Sequence, residues 1–210
     1  MKAKLILLAS FAVLSASPAK SANLEAVRAR AAAFEAAVPP LPPSDDDEAQ
    51  RSLRMAQRAS DRAYRLVVDL GMMSRTAAEA KAELAALRTD PARKDKVEYL
   101  LKFLVDAYPV QGDGAAFILD KVLWLKYQAG KPAAPGYGEA VAALVERVRA
   151  SDDATKALRA AVDELKAGVG APAGERSVWL AGRLAEMAQQ QETYSAYLRG
   201  KTDILAKPAS

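Results

Sequence analysis

The sequence predicts an all-α protein, a helical bundle of six to seven helices built on two long helices at about 45–88 and 176–205. Apolar residues make up 51% of the chain but aromatic residues only 6%. The apolar part is therefore mostly Ala, Leu and Val, which together with the many Arg, Lys and Glu residues favours helices. Apolar positions recur at spacings of three and four, and no stretch shows the alternation that is typical of a strand.

The first 19 residues have the pattern of a secretory signal peptide. Lys2 and Lys4 precede an uncharged apolar run at 5–16, and the small residues Ser17-Pro18-Ala19 follow. The run is too short for a bilayer span, which needs roughly 20 apolar residues. A buried N-terminal helix is the alternative. We expect an exported protein, periplasmic or secreted, with no membrane span after cleavage.

Removal of the signal peptide changes the electrostatic interpretation of the chain. The full chain has a net charge of +4, and loss of Lys2 and Lys4 lowers it to +2. A chain whose positive and negative charges are so nearly equal in number does not have the composition of a nucleic-acid binder. We therefore expect no nucleic-acid partner.

An Ala-rich helix at 24–37 and a proline-rich segment at 38–44 are predicted next, so that residues 20–43 form a helix and a linker. Four prolines fix the backbone there and withhold hydrogen-bond donors. Ser44 and the acidic residues 45–48 suit the start of a helix, because the helix dipole favours negative charge at that end. Residues 44–206 are expected to form a single helical-bundle domain.

The segment from about 45 to 88 carries the longest periodic pattern of the chain. Its apolar seam has spacings that alternate between four and three, as in helices that pack side by side. The seam residues are Ala59, Ala63, Leu66, Leu70, Met73, Ala77, Ala80, Leu84 and Leu87. Gly71 and the capping-box pair Thr76 and Glu79 leave open a break near 71–76. The uninterrupted seam favours one long helix.

Proline, glycine and capping residues divide the rest of the chain. Asp90-Pro91 predicts a helix start, and Pro109 with Gly112-Asp113-Gly114 predicts a break after Tyr108. Ser151-Asp152-Asp153 predicts another N-cap. The predicted helices are 91–108, 115–129, 139–150, 151–168 and 176–205. The first two and the next two are expected to form helical hairpins at 91–129 and 139–167.

The absence of Cys and His restricts the chemistry of the chain. Disulfides, Cys- or His-ligated metal sites, a histidine base and a cysteine nucleophile are all excluded. Asp106, Asp113 and Asp120 could supply carboxylates, but no spacing identifies an acid–base pair. We predict no catalytic residue, no metal site and no cofactor, and an enzyme is the less favoured class.

The first candidate site is a stripe of arginines on the helix at 45–88. Its members are spaced three or four residues apart, and we expect them to lie opposite the seam: Arg51, Arg54, Arg58, Arg62 and Arg65. Planar guanidinium groups in a row suit phosphates or carboxylates of a partner, such as an envelope protein or an anionic envelope component. The alternative is a solvated face, because Asp47, Asp61 and Asp69 have the spacing for ion pairs along the helix.

The second candidate site is an aromatic cluster in the predicted hairpin 99–127. A ligand could contact Tyr99, Phe103, Phe117, Asp120, Trp124 and Tyr127. Both helices of this hairpin would be apolar on two sides, so that it either lies in the core or lines a groove. Asp120 stands between aromatic residues, and a buried carboxylate there would need a partner or a shifted pKa.

Two function hypotheses follow from these patterns. The first is an exported, non-catalytic helical protein that binds another envelope component through a helix face. The alternative is a small-ligand or lipid-binding carrier or sensor that uses the aromatic hairpin. The first predicts an exposed binding face on the helix at 45–88, and the second predicts an apolar cavity between two hairpin helices. Self-association is open under either hypothesis.

Overall fold

The computed structural model describes residues 48–128, 131 and 133–206. This part of the chain is all-helical, with no strand. Its four long helices are α1 (Glu48–Leu87), α2 (Lys94–Tyr127), α3 (Tyr137–Gly168) and α4 (Gly174–Leu205). The predicted signal peptide, the helix at 24–37 and the proline-rich linker lie outside the described residues.

The four helices form a bundle in which α1 packs along α2 and α3, and α4 packs along the same two helices. The chain runs up, down, up and down, so α1 and α2 are antiparallel. Helices α1 and α3 are parallel neighbours, as shown by the ion pairs Asp61–Arg147 and Lys81–Glu164. The connection from α2 to α3 therefore crosses the diagonal at one end of the bundle.

Helix α1 is continuous through Gly71, as the uninterrupted seam predicts. Eight of the nine seam residues are buried, and Leu84 is half-buried. The pattern succeeds here because a 3.5-residue repeat keeps one face of a long helix against its neighbours. Half of these buried residues are Ala, and small side chains on a seam allow adjacent helices to approach closely.

The break predicted between 108 and 115 is wrong, because α2 runs unbroken through Pro109. Burial of Tyr108, Gln111, Ala115 and Ile118 on one face outweighs the local cost of the proline. The structure thus replaces the predicted hairpin 91–129 with a single helix. The predicted start is confirmed: Asp90 caps a short 3-10 turn, Pro91–Arg93, by accepting a hydrogen bond from the Ala92 amide.

The break predicted at Ser151-Asp152-Asp153 is also wrong, and α3 is continuous. The polar side chains that suggested a cap make bonds compatible with a helix interior. The Ser151 hydroxyl donates to the Val148 carbonyl at 2.8 Å, and Asp152 binds basic side chains instead of capping a helix. Merging these two pairs of predicted helices leaves four helices in the described part of the chain rather than the predicted six to seven.

Gly174 fixes the tight approach between the start of α4 and the start of α2. Its φ of +83° lies in the left-handed region that L side chains rarely adopt. A Cβ at this position would lie 2.9 Å from Cε of Lys94. The backbone conformation therefore requires glycine where the chain enters α4, and a Cβ there would also displace the flexible end of the Lys94 side chain.

Candidate interaction surface

The five candidate arginines do not share one environment. Arg51, Arg58 and Arg65 are exposed, whereas Arg54 and Arg62 are half-buried. The expectation that all five lie opposite the seam is wrong, since Arg62 directly precedes the seam residue Ala63 and points only about 100° away from it. We call the three exposed residues, which are spaced seven apart, the arginine row.

Arg62 has a packing role between α1 and α2. A Cβ on Gly114 would lie 3.1 to 3.3 Å from the Arg62 guanidinium, so the guanidinium occupies the space that any other residue at 114 would fill. The Nε atom of Arg62 is buried and has no hydrogen-bond partner. The sequence around Gly114 predicted a turn. In the structure Gly114 lies inside α2, and its lack of a side chain leaves room for the Arg62 guanidinium.

The described acidic residues with the spacing to neutralise the arginine row, Asp61 and Asp69, form no ion pair with it. Asp61 binds Arg147 of α3, with 3.0 Å between Oδ1 and Nη1, instead of pairing along α1 with Arg58 or Arg65. As a result, Arg58 and Arg65 form no ion pair with any residue that the structure describes. Asp47, the remaining candidate for Arg51, lies outside the described residues.

The aromatic residues of 99–127 lie on one helix, not on two. Tyr99 and Phe103 are 66% and 40% exposed, Tyr127 is 78% exposed, and Phe117 and Trp124 are half-buried. They do not enclose a cavity between hairpin helices, because α2 has no hairpin. Asp120 is exposed, with its carboxylate 2.7 Å from Nζ of Lys121, so it is not a buried carboxylate among aromatic residues.

The outer side of α2 carries two rows of residues spaced seven apart. The apolar row consists of Phe103, Val110, Phe117 and Trp124. The aspartate row consists of Asp106, Asp113 and Asp120, with Tyr99 and Tyr127 at its two ends. Val110, which the sequence analysis did not single out, is 55% exposed. Seven residues make nearly two helical turns, so each row follows one line along the helix.

The register between α1 and α2 places the arginine row beside the apolar row. The Arg62 guanidinium beside Gly114 and the ion pair of Glu79 with Lys96, at 3.0 Å, together indicate which residues face each other on the outer side of this antiparallel pair. Steps of seven residues back along α1 and forward along α2 then give the successive facing pairs. They are Met72 with Phe103, Arg65 with Val110, Arg58 with Phe117, and Arg51 with Trp124.

We call this outer surface of the two helices the α1/α2 face. It carries the arginine row on α1, the apolar row at the junction of the helices, and the aspartate row farther out on α2. Asp106 and Asp120 bind the lysines Lys102 and Lys121 of the same helix, whereas Asp113 has no ion pair within the described residues. The face thus has guanidinium groups along one edge, apolar side chains along the middle, and along the other edge a row of carboxylates in which Asp113 alone lacks a lysine partner within the described residues.

A buried charge network on the other side of the bundle was not predicted from the sequence. Asp152 is 1% exposed, and its Oδ2 accepts from Lys156 at 2.7 Å and from Arg199 of α4 at 2.8 Å. Burial acts to raise the pKa of Asp152, but the hydrogen bonds from Lys156, Arg199 and Ser195 outweigh it and leave this pKa lowered. The network joins α3 to α4.

A second charge network joins α1 to the start of α2. Glu83 is buried, and its carboxylate accepts from Lys96 at 2.7 Å and from Arg93 at 3.2 Å. The hydrogen bond from Lys96 is the main reason that the pKa of Glu83 is lowered. Both networks are consistent with a structural role, because each ties two neighbouring helices together.

The described residues contain no cluster of three or more acidic side chains that could hold a metal ion. None of the helices in this part of the chain combines the length and the apolar character that a bilayer span requires. Comparisons with protein-family models, curated proteins and solved structures give no match for this chain. Function must therefore be inferred from the chain's own surface.

Proposed function

We propose that this protein is an exported, non-catalytic helical protein that binds another polypeptide of the cell envelope through the α1/α2 face. Export is inferred from the signal-peptide pattern of residues 1–19. One observation carries the binding proposal: Arg58 and Arg65, which form no ion pair with a described residue, lie beside the apolar row. Two side chains of that row, Val110 and Phe103, remain 55% and 40% exposed.

The chemistry of this face favours a polypeptide over an anionic glycan or a lipid headgroup. Arginine binds carboxylates in a planar, two-point geometry, and the apolar row would gain from burial at roughly 25 cal/mol per Å². The aspartate row would repel a uniformly anionic surface, since Asp113 has no ion pair among the described residues. A protein surface can place carboxylates and basic groups on opposite edges.

The alternative of a ligand carrier depends on a helical hairpin at 99–127, and this segment is a single helix. It requires an apolar cavity between two hairpin helices, and its candidate residues stand on the outside of α2. Titration of the protein with vesicles of envelope lipids should leave Trp124 emission unchanged under our proposal. A blue shift that Trp124→Phe removes would return the carrier to consideration.

The proposal is tested by reversing one charge of the arginine row. We expect Arg58→Glu to lower the amount of polypeptide that co-purifies with the tagged protein from its own envelope fraction at least fivefold. The matched control is Arg88→Glu, because Arg88 is exposed near the end of α1 and has no ion pair with a described residue. Equal recovery of partner with both variants would refute the α1/α2 face as the binding surface.

A further inference from the structure

We propose that the partner of the α1/α2 face is a second copy of this chain, so that the protein is a homodimer with a two-fold axis parallel to the helices. This inference rests on the proposed function, namely that the face binds a polypeptide. It identifies that polypeptide from the order of the three rows, which makes the face complementary to itself.

A two-fold rotation about an axis above the apolar row exchanges the two edges of the face. The arginine row on α1 of one protomer then lies over the aspartate row on α2 of its partner, and the reverse contact forms at the other edge. The apolar rows of the two protomers meet in the middle. A single rotation thus gives an apolar centre and two borders of opposite charges, the arrangement that favours stable interfaces.

The charges also match along the helix axis. Because an axis parallel to the helices preserves height, the partner's Arg58 stands level with Phe117, between Asp113 and Asp120. The partner's Arg65 stands level with Val110, between Asp106 and Asp113. Each separation is three or four residues, about 5 to 6 Å of helix, which an arginine side chain can reach. Asp113, which has no ion pair within its own described chain, would therefore be flanked by two arginines.

Other face-to-face arrangements of two copies are disfavoured by the same charges. A two-fold axis across the helices would stack α1 on α1 and α2 on α2. Arginines would then face arginines and aspartates would face aspartates, and juxtaposed like charges in an interface are costly. The order of the rows therefore selects one dimer geometry.

The face is large enough for a specific dimer. Its length from Tyr99 to Tyr127 is about 42 Å at 1.5 Å per residue, and two adjacent helices span about 18 Å. The product is about 750 Å² for each copy, close to the roughly 800 Å² per partner of a typical stable interface.

The first test is a charge reversal with rescue, measured by sedimentation velocity over a range of concentrations. Arg58→Glu and Asp113→Arg should each raise the dimer dissociation constant at least tenfold, since each places like charges together twice in the dimer. The double variant exchanges this one pair of charges while Arg65 and Asp120 keep theirs, so it should dimerise more tightly than either single variant without reaching the wild-type constant; a double variant as weak as the weaker single variant would refute the contact between residues 58 and 113. Arg88→Glu is the control and should change nothing, and circular dichroism checks that every variant is folded.

The second test uses disulfide cross-linking, which the absence of Cys makes selective. Under the proposed axis the apolar rows face each other at equal heights, so Val110→Cys and Phe103→Cys should each form a disulfide with the same residue of the partner. The control Ala157→Cys, at an exposed position on α3, should not. Cross-linking of Ala157→Cys as efficient as that of Val110→Cys would overturn the geometry.

The outcomes separate this inference from the proposed function. A protein that stays monomeric at several hundred micromolar refutes the homodimer. If Arg58→Glu still releases a different envelope polypeptide in that case, the proposed function survives with another partner. If the wild-type protein dimerises but neither Arg58→Glu nor Asp113→Arg weakens the dimer, both the interface and the proposed role of the arginine row are refuted.

Discussion

Replacement of Asp152 by Asn would remove the negative charge that joins α3 to α4. The carboxylate is 1% exposed and accepts from Lys156 at 2.7 Å and Arg199 at 2.8 Å. Hydrogen bonds to charged groups contribute about 1.5 to 3 kcal/mol each. Both donors are partly exposed and would regain water, with side-chain exposures of 47% and 37%. We therefore expect a loss of about 2 kcal/mol, which corresponds to a decrease in Tm of about 4 to 8 °C for a domain of this size.

The effect of Asp152→Asn should depend on pH in a defined direction. The folded-state pKa of Asp152 is lowered, so its contribution to stability is complete above the unfolded pKa of about 3.9 and decreases as pH falls through the folded value. The gap in Tm between the wild type and Asp152→Asn should be full at pH 7 and should shrink below about pH 4.

Thermal unfolding followed by circular dichroism at pH 7 and pH 3 measures both expectations. The matched control is Asp153→Asn, because this neighbouring carboxylate is 72% exposed and lies 3.7 Å from the same arginine. Its effect should stay within about 0.5 kcal/mol. Equal Tm values for the wild type and Asp152→Asn at pH 7, or a gap that widens in acid, would refute this account of the network.

Three further substitutions test the helices themselves, each by urea unfolding at pH 7. Gly71→Ala should raise the free energy of unfolding by about 1 kcal/mol, because a Cβ there would meet no atom within 4 Å and alanine favours a helix interior; a decrease would show that α1 needs glycine at this point. Pro109→Ala should raise it by about 1 to 3 kcal/mol by restoring a helical amide donor, and a loss would mean that the packing of α2 depends on the proline. Leu104→Ala should lower it by about 2 to 5 kcal/mol, since Leu104 is fully buried, and a loss under 1 kcal/mol would contradict its place in the core.

The sequence was most informative where a helix repeats one pattern over its whole length. The seam of α1 spans about eight turns from Ala59 to Leu87, and its spacing continues through Gly71 and Thr76, so its single-helix form was predictable. Pro109 and Ser151-Asp152-Asp153 are strong local signals for helix ends. They misled because packing of distant residues against α2 and α3 supplies more free energy than the local preference removes.

The candidate site was only partly predictable. The spacing of the arginines is visible in the sequence, but which of them stay unneutralised depends on Arg147 and Gly114, which lie on other helices. The apolar row could have been found from the sevenfold spacing of Phe103, Val110, Phe117 and Trp124. Its place beside the arginine row could not, because that requires the register between α1 and α2 that the structure shows.

The most direct measurement of the central claim is native mass spectrometry of the protein purified gently from its own envelope fraction. Our account predicts a species of twice the processed chain mass that dissociates to single chains on denaturation, and its loss in the Arg58→Glu variant. Only single chains of the wild-type protein, over the whole range of concentrations that the instrument reaches, would contradict it.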